Sequence, residues 1–231
     1  TTINRETVEL RYKLLPYLYT LFREHELTGQ PVMRPLWYEF PQDKSTYLIN
    51  DQYMAGGDIM VAPVVKEGML TREVYFPAGA DWLDWWTGER FQGGTPKTVS
   101  APLDRLPLYV RVGAVIPTEP VIQHTGEMAS VPITLTVAGG LLPGAVEASR
   151  IFQDAGDGYG YRADAWREIK VTHRPGSLTI EQTGKFEGQK ILAIEIVGIG
   201  TDPKELRADG KTIPHNFDAP HHRVTAALSG S

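Results

Sequence analysis

Between Asn4 and His25 the apolar residues Leu10, Leu14, Tyr17, Leu18, Leu21 and Phe22 recur at spacings of three and four, which places them on one stripe of a helix. Asn4 is suited to the N-cap, Glu6 to the first turn, and Gly29 to the left-handed position that closes a helix. Pro16 falls inside the stripe; it removes a backbone donor and predicts a bend near the preceding turn. After Gly29 the rhythm shortens. Pro31 to Phe40 (PVMRPLWYEF) and Asp58 to Val65 (DIMVAPVV) read as strands, the second an almost unbroken apolar run of the kind buried on both faces. A helix followed by a buried strand is an α/β pattern.

From Gly68 onward the periodicity changes to two, in short runs separated by Gly, Pro and Asp. Arg72 to Phe76, Leu108 to Val112, Ile133 to Val137, Ala148 to Phe152, Trp166 to Thr172, Leu178 to Gln182 and Ile191 to Val197 predict strands, and their number and spacing predict β-sandwiches. A polar stretch at Gly126 to Ser130 marks a boundary between two β units. No internal repeat or low-complexity tract is present.

The chain has 231 residues, 42% of them hydrophobic, which suffices for one large unit or two smaller ones. A net charge of −5 gives no electrostatic basis for binding nucleic acid or an anionic membrane, and neither is expected as a partner. With no cysteine there are no disulfides and no thiolate metal sites, a composition that fits cytoplasmic, periplasmic and secreted proteins alike. No apolar run is long enough to cross a bilayer as a helix.

The densest candidate chemistry is Trp82-Leu83-Asp84-Trp85-Trp86-Thr87-Gly88-Glu89. An Asp among indoles has the setting that raises a carboxyl pKa, but an aromatic strand entering a Thr-Gly turn accounts for the pattern as a hairpin without chemistry. Trp85 and Trp86 are also candidates for stacking on a sugar, and if the strand continues through them only one can face a core. Gln153 to Tyr161 (QDAGDGYGY) has acids beside glycines, but Ala155 and Gly156 interrupt the ligand spacing of a calcium loop, so a β-turn is expected. His215, His221 and His222 lack metal-ligand spacing. No metal or other cofactor is expected, and the phosphate-binding and nucleophile-elbow motifs are absent.

Leu10 to Asp43, Asp51 to Val65, Trp85 to Gly94, Ala101 to Pro117 and Ile151 to Tyr161 together resemble the C-terminal portion of family 31 glycoside hydrolases, the α-glucosidase and α-xylosidase group. The resemblance implies a mainly β chain: residues 1–66 as the terminal helix-strand segment of a (β/α)8 barrel, 67–127 as a proximal β-sandwich and 128–231 as a distal one. It implies a retaining α-glycosidase acting on α-linked glucosides or xylosides, with oligosaccharide or glycoside as substrate. The family's nucleophile lies in a Trp-x-Asp-Met-Asn-Glu run. The Trp82 to Trp86 segment lacks its Met-Asn-Glu, so no catalytic residue carries over and the chain alone is expected to be inactive. Because it opens on Thr1 directly before an amphipathic helix, it is expected to be a fragment that partners the N-terminal part of the same enzyme. Arg34 and Trp37, at the end of the last barrel strand, are the residues expected nearest to substrate. An ion pair for Arg34 and core packing for Trp37 are the structural alternatives. A free-standing carbohydrate-binding sandwich is the competing function.

Overall fold

A computed structural model describes residues 2–139, 147–174 and 176–228. Two helices open the chain, α1 at Thr2–Lys13 and α2 at Leu15–Thr28. Leu10, Leu14, Tyr17 and Leu21 form the buried stripe, whereas Phe22 stays 60% exposed. Asn4 lies inside α1 rather than capping it. At the expected bend, Leu14 leaves helical dihedrals (φ −91°, ψ 3°), and Pro16 takes the first turn of α2, where its missing N–H would have lacked an intrahelical partner anyway. Gly29 closes α2 at φ 76°, its N–H donating to the carbonyl of His25 at 2.8 Å.

The strand expected over residues 31 to 40 is shorter. Only Met33–Pro35 pairs, and Leu36–Glu39 forms a helical turn, α3. Pro35 has no N–H to extend a ladder, and its extended backbone delivers the chain into that turn. Likewise only Ile59–Val61 of the apolar run is strand, all three residues buried, while Val65 is 65% exposed.

Strands Met33–Pro35, Tyr53–Ala55, Ile59–Val61, Leu108–Arg111, Trp82–Asp84 and Arg90–Phe91 form, in that spatial order, one antiparallel sheet. Strands from both sides of residue 66 therefore share hydrogen bonds. Alternation divides the sheet between two cores. Ile59, Val61, Leu83, Leu108 and Val110 meet the stripe of α1 and α2. Met60, Trp82 and Tyr109 point the other way, onto Val74, Phe76 and Val99 of the ribbon made by Thr71–Phe76 and Thr95–Ser100. Trp82, Tyr109 and Phe76 are almost fully buried, each contributing roughly 2–3 kcal/mol over an exposed position.

The remaining strands build a sandwich. His215–Asp218, Arg223–Ala227, Ile191–Val197, Ile133–Ala138 and Val115–Thr118 form a five-stranded sheet in which only the Ile133–Ala138 and Ile191–Val197 pair is parallel. It faces a three-stranded sheet of Glu147–Gln153, Arg167–Arg174 and Ser177–Gly184 across a core of Ile133, Leu135, Val137, Ile151, Ile169 and Val171. Strand Val115–Thr118 ties the sandwich to the helices, because Val115 enters this core and Ile116 enters the helical one. The contact with α2 is also polar. Tyr19 donates to Asp154 at 2.6 Å, Tyr161 donates to Glu26 at 2.8 Å, and the Arg23 guanidinium lies 4.8 Å and 5.1 Å from the ring centres of Phe152 and Tyr161.

Candidate functional site

Arg34 follows the first residue of its strand and is only 4% exposed. Its Nη2 donates to Glu24 of α2 at 2.9 Å, its Nη1 to Glu39 of α3 at 2.5 Å, and its Nε to the carbonyl of Pro31 at 2.7 Å. The guanidinium thus joins both helices to the strand and is matched by two carboxylates. Trp37, one turn on, is 47% exposed, so core packing does not describe it. A helical turn at Leu36–Glu39 buries Leu36 and sends Trp37 outward, which a strand reading does not anticipate. Trp37 lines an open hollow of about 540 Å³ with Met33, Arg34, Tyr47, Asn50 and Tyr53. Tyr47 and Asn50 carry no signal in the sequence, because they lie in the irregular segment between Lys44–Thr46 and Tyr53–Ala55 and follow no period.

Asp84 ends its strand. Its Oδ1 accepts the backbone N–H groups of Trp86 and Thr87, each at 2.8 Å, so the carboxylate organises a turn. The hairpin closes through Asp84 N–H to Glu89 and Gly88 N–H to Asp84, both 2.9 Å. Because pairing stops at Asp84, strand alternation does not govern the next two residues, and both Trp85 and Trp86 pack partly against the helical core. Trp86 donates its indole N–H to Leu106 at 2.8 Å, and Arg223 donates to the Trp85 carbonyl. The two indoles line a separate cleft of about 600 Å³ between α1, the Leu106 segment and the five-stranded sheet.

Glu119, on the wall of that cleft, is 3% exposed. Burial pushes its carboxyl above the ordinary value, opposed by a 2.8 Å bond from Gln189. It was not anticipated, since a single Glu after a strand carries no pattern.

In the Gln153 to Tyr161 loop, Asp154 accepts from Gly156 at 2.8 Å and from Tyr19, and Asp157 accepts from Gly158 at 2.7 Å. These bonds make turns of the acids. His215 contacts Asp202 at 3.0 Å and His221 contacts Asp218 at 2.8 Å, while His222 sits at φ 51° in a turn. Among the described residues no three His, Asp or Glu side chains converge as metal ligands would.

Residues 29–116, which contain Arg34, Trp37 and the Trp hairpin, match the family described as glycosyl hydrolase family 31 C-terminal domain. The chain is 31% identical to alpha-glucosidase 2 of Bacillus thermoamyloliquefaciens, over 96% of its own length and 28% of the relative's. It is 35% identical to an alpha-xylosidase of Saccharolobus solfataricus, over 83% of this chain and 26% of that one. The chain belongs to glycoside hydrolase family 31. A family 31 dextranase of Flavobacterium johnsoniae, solved in complex with glucose, superposes on 98% of this chain and 31% of its own, with a TM-score of 0.87 and 29% identity. The chain therefore spans less than a third of the length of these relatives and corresponds to their C-terminal portion.

Proposed function

We propose that this chain is the C-terminal part of a retaining α-glycosidase, an α-glucosidase in the first instance, acting on α-linked glucosides or xylosides. In this reading residues 1–66 supply the last helix-strand segment of the (β/α)8 barrel, and 67–127 and 128–231 are the proximal and distal β units that brace it. The reacting pair of carboxylates belongs to the N-terminal part of the same enzyme.

One observation carries the reading. Of the fifteen large apolar side chains exposed among the described residues, eleven fall within residues 1–70; apart from Trp37 and Tyr47, which line the hollow, they include Val8, Phe22, Leu27 and Val65. Met33–Pro35 is also an edge strand, with a row of backbone groups open to pairing. An apolar surface and an open edge on the same segment are what a barrel wall exposes without its neighbours. The relatives' names, alpha-glucosidase and alpha-xylosidase, supply the substrate class. The free-standing carbohydrate-binding alternative leaves that surface without a purpose.

In the assembled enzyme the hollow beside Trp37 lies at a strand's C-terminal end, where barrel enzymes place substrate. Trp37→Ala is expected to raise KM about threefold or more at unchanged melting temperature, as an exposed aromatic contact does. Arg34→Ala leaves Glu24 and Glu39 without their shared cation and is expected to cost about 3 kcal/mol of stability. Steady-state kinetics and thermal melting of both variants separate the roles. Unchanged KM for Trp37→Ala removes that residue from the substrate path.

A further inference from the structure

The structure assigns a second carbohydrate site, remote in its lining from the hollow beside Trp37: we infer that the cleft beneath Trp85 and Trp86 holds a short α-glucan segment. The two sites share no lining residue. At about 600 Å³ the cleft falls within the range of ligand pockets.

Its lining combines the groups that recognise a neutral sugar. Trp85 supplies an indole whose N–H has no hydrogen-bond partner among the described residues, in contrast to Trp86, whose N–H is taken by Leu106. Indole faces suit the C–H faces of a pyranose. On the rim, Lys13, Asp104 and Arg105 are exposed, and their side chains form no ion pair among the described residues. Charges of both signs side by side disfavour an anionic ligand and suit hydroxyls, which donate and accept.

Deeper in, two orphan atoms point to the same class. Among the described residues, two buried side-chain polar atoms lack any partner: Oε1 of Glu119 and Nε of Arg223. Both residues line this cleft. Buried polar atoms are seldom left unpaired, and here one is an acceptor and the other a donor, each with unused hydrogen-bonding capacity in the wall of the cleft. Arg223 is held in the wall of the cleft, its Nη1 donating to Glu195 at 2.8 Å and its Nη2 to the Trp85 carbonyl.

The choice of α-linked glucan rests on the proposed activity; the sugar-binding chemistry does not. The test is affinity electrophoresis of the full-length protein through native gels containing soluble starch, a polymer with few chain ends per sugar, with hydrolysis of a small aryl α-glucoside assayed in parallel. The native protein is expected to be retarded. Trp85→Ala and the double variant Asp104→Ala/Arg105→Ala are expected to weaken retardation about fivefold or more while leaving hydrolysis of the small glucoside unchanged. The double variant alters only exposed positions, so it decides the matter even if Trp85→Ala fails to fold. Absence of retardation of the native protein, or equal retardation of the double variant, overturns the site. Failure to hydrolyse any small α-glycoside instead overturns the proposed activity and leaves the binding result to be read separately.

Discussion

Asp43 ties its own turn to the segment of chain around Tyr75 and Ala78. Its carboxylate accepts from Ser45 N–H at 3.1 Å, the Tyr75 hydroxyl at 2.8 Å and Ala78 N–H at 2.8 Å, so it caps a short 3-10 turn and pins it to the ribbon. Burial works against its charge, but the bonds from Ala78, Tyr75 and Ser45 outweigh it and hold the carboxyl below the usual range. A lowered native pKa contributes stability at pH values above the unfolded value of about 4, lost as pH falls through the native value. Asp43→Ala is therefore expected to cost about 1–3 kcal/mol at pH 7 and distinctly less at pH 2, by chemical denaturation. Glu119 has the opposite sign. Its raised native pKa gives stability that is complete below the ordinary value of 4.5 and is lost as pH rises through the native value. The melting temperature of Glu119→Gln minus that of the native protein should accordingly be larger at pH 8 than at pH 4. A difference independent of pH removes Glu119 from the acid-base balance of the fold.

At the scale of elements, the hairpin after Trp82–Asp84 depends on Gly88. Its φ is 71°, and a Cβ placed there would stand 2.6 Å from the carbonyl of His221, in the turn between His215–Asp218 and Arg223–Ala227. Gly88→Ala combines backbone strain with a clash against main chain, and is expected to cost about 2 kcal/mol or more in thermal or denaturant unfolding. The same hairpin shows what sequence makes legible. Runs such as Ile133–Ala138 and Ile191–Val197 are legible from the alternation of large apolar with smaller or polar side chains: Ile133, Leu135 and Val137 enter the sandwich core, as do Ile194 and Ile196. The pairs Leu206–Ala208 with Lys211–Ile213, and His215–Asp218 with Arg223–Ala227, passed unnoticed, being short, mostly half-exposed and rich in polar residues. The outward direction of Trp37 is not legible in the sequence, because a four-residue helical turn is too short to show a period and reverses what a strand would bury. The two orphan atoms of the Trp85 cleft are set by elements 104 positions apart, Glu119 and Arg223, and no local pattern links them.

For the whole molecule, the arrangement of cores explains why the three stretches of chain act together. One six-stranded sheet is shared by residues 33–61 and 82–111, the helices cover one of its faces, and the sandwich grips α2 through Tyr19, Tyr161 and Arg23. That grip holds Glu24, hence Arg34 and the strand beside the Trp37 hollow, in position. Eleven large apolar side chains of residues 1–70 remain exposed, the surface that the proposed function gives to the rest of the enzyme. The most direct measurement is α-glucosidase activity of the isolated 231-residue chain, alone and after mixing with the separately produced N-terminal part. The account predicts no hydrolysis by the chain alone, none by the N-terminal part alone, and recovery on mixing. Hydrolysis of an α-glucoside at an enzyme-like rate by this chain alone would contradict it.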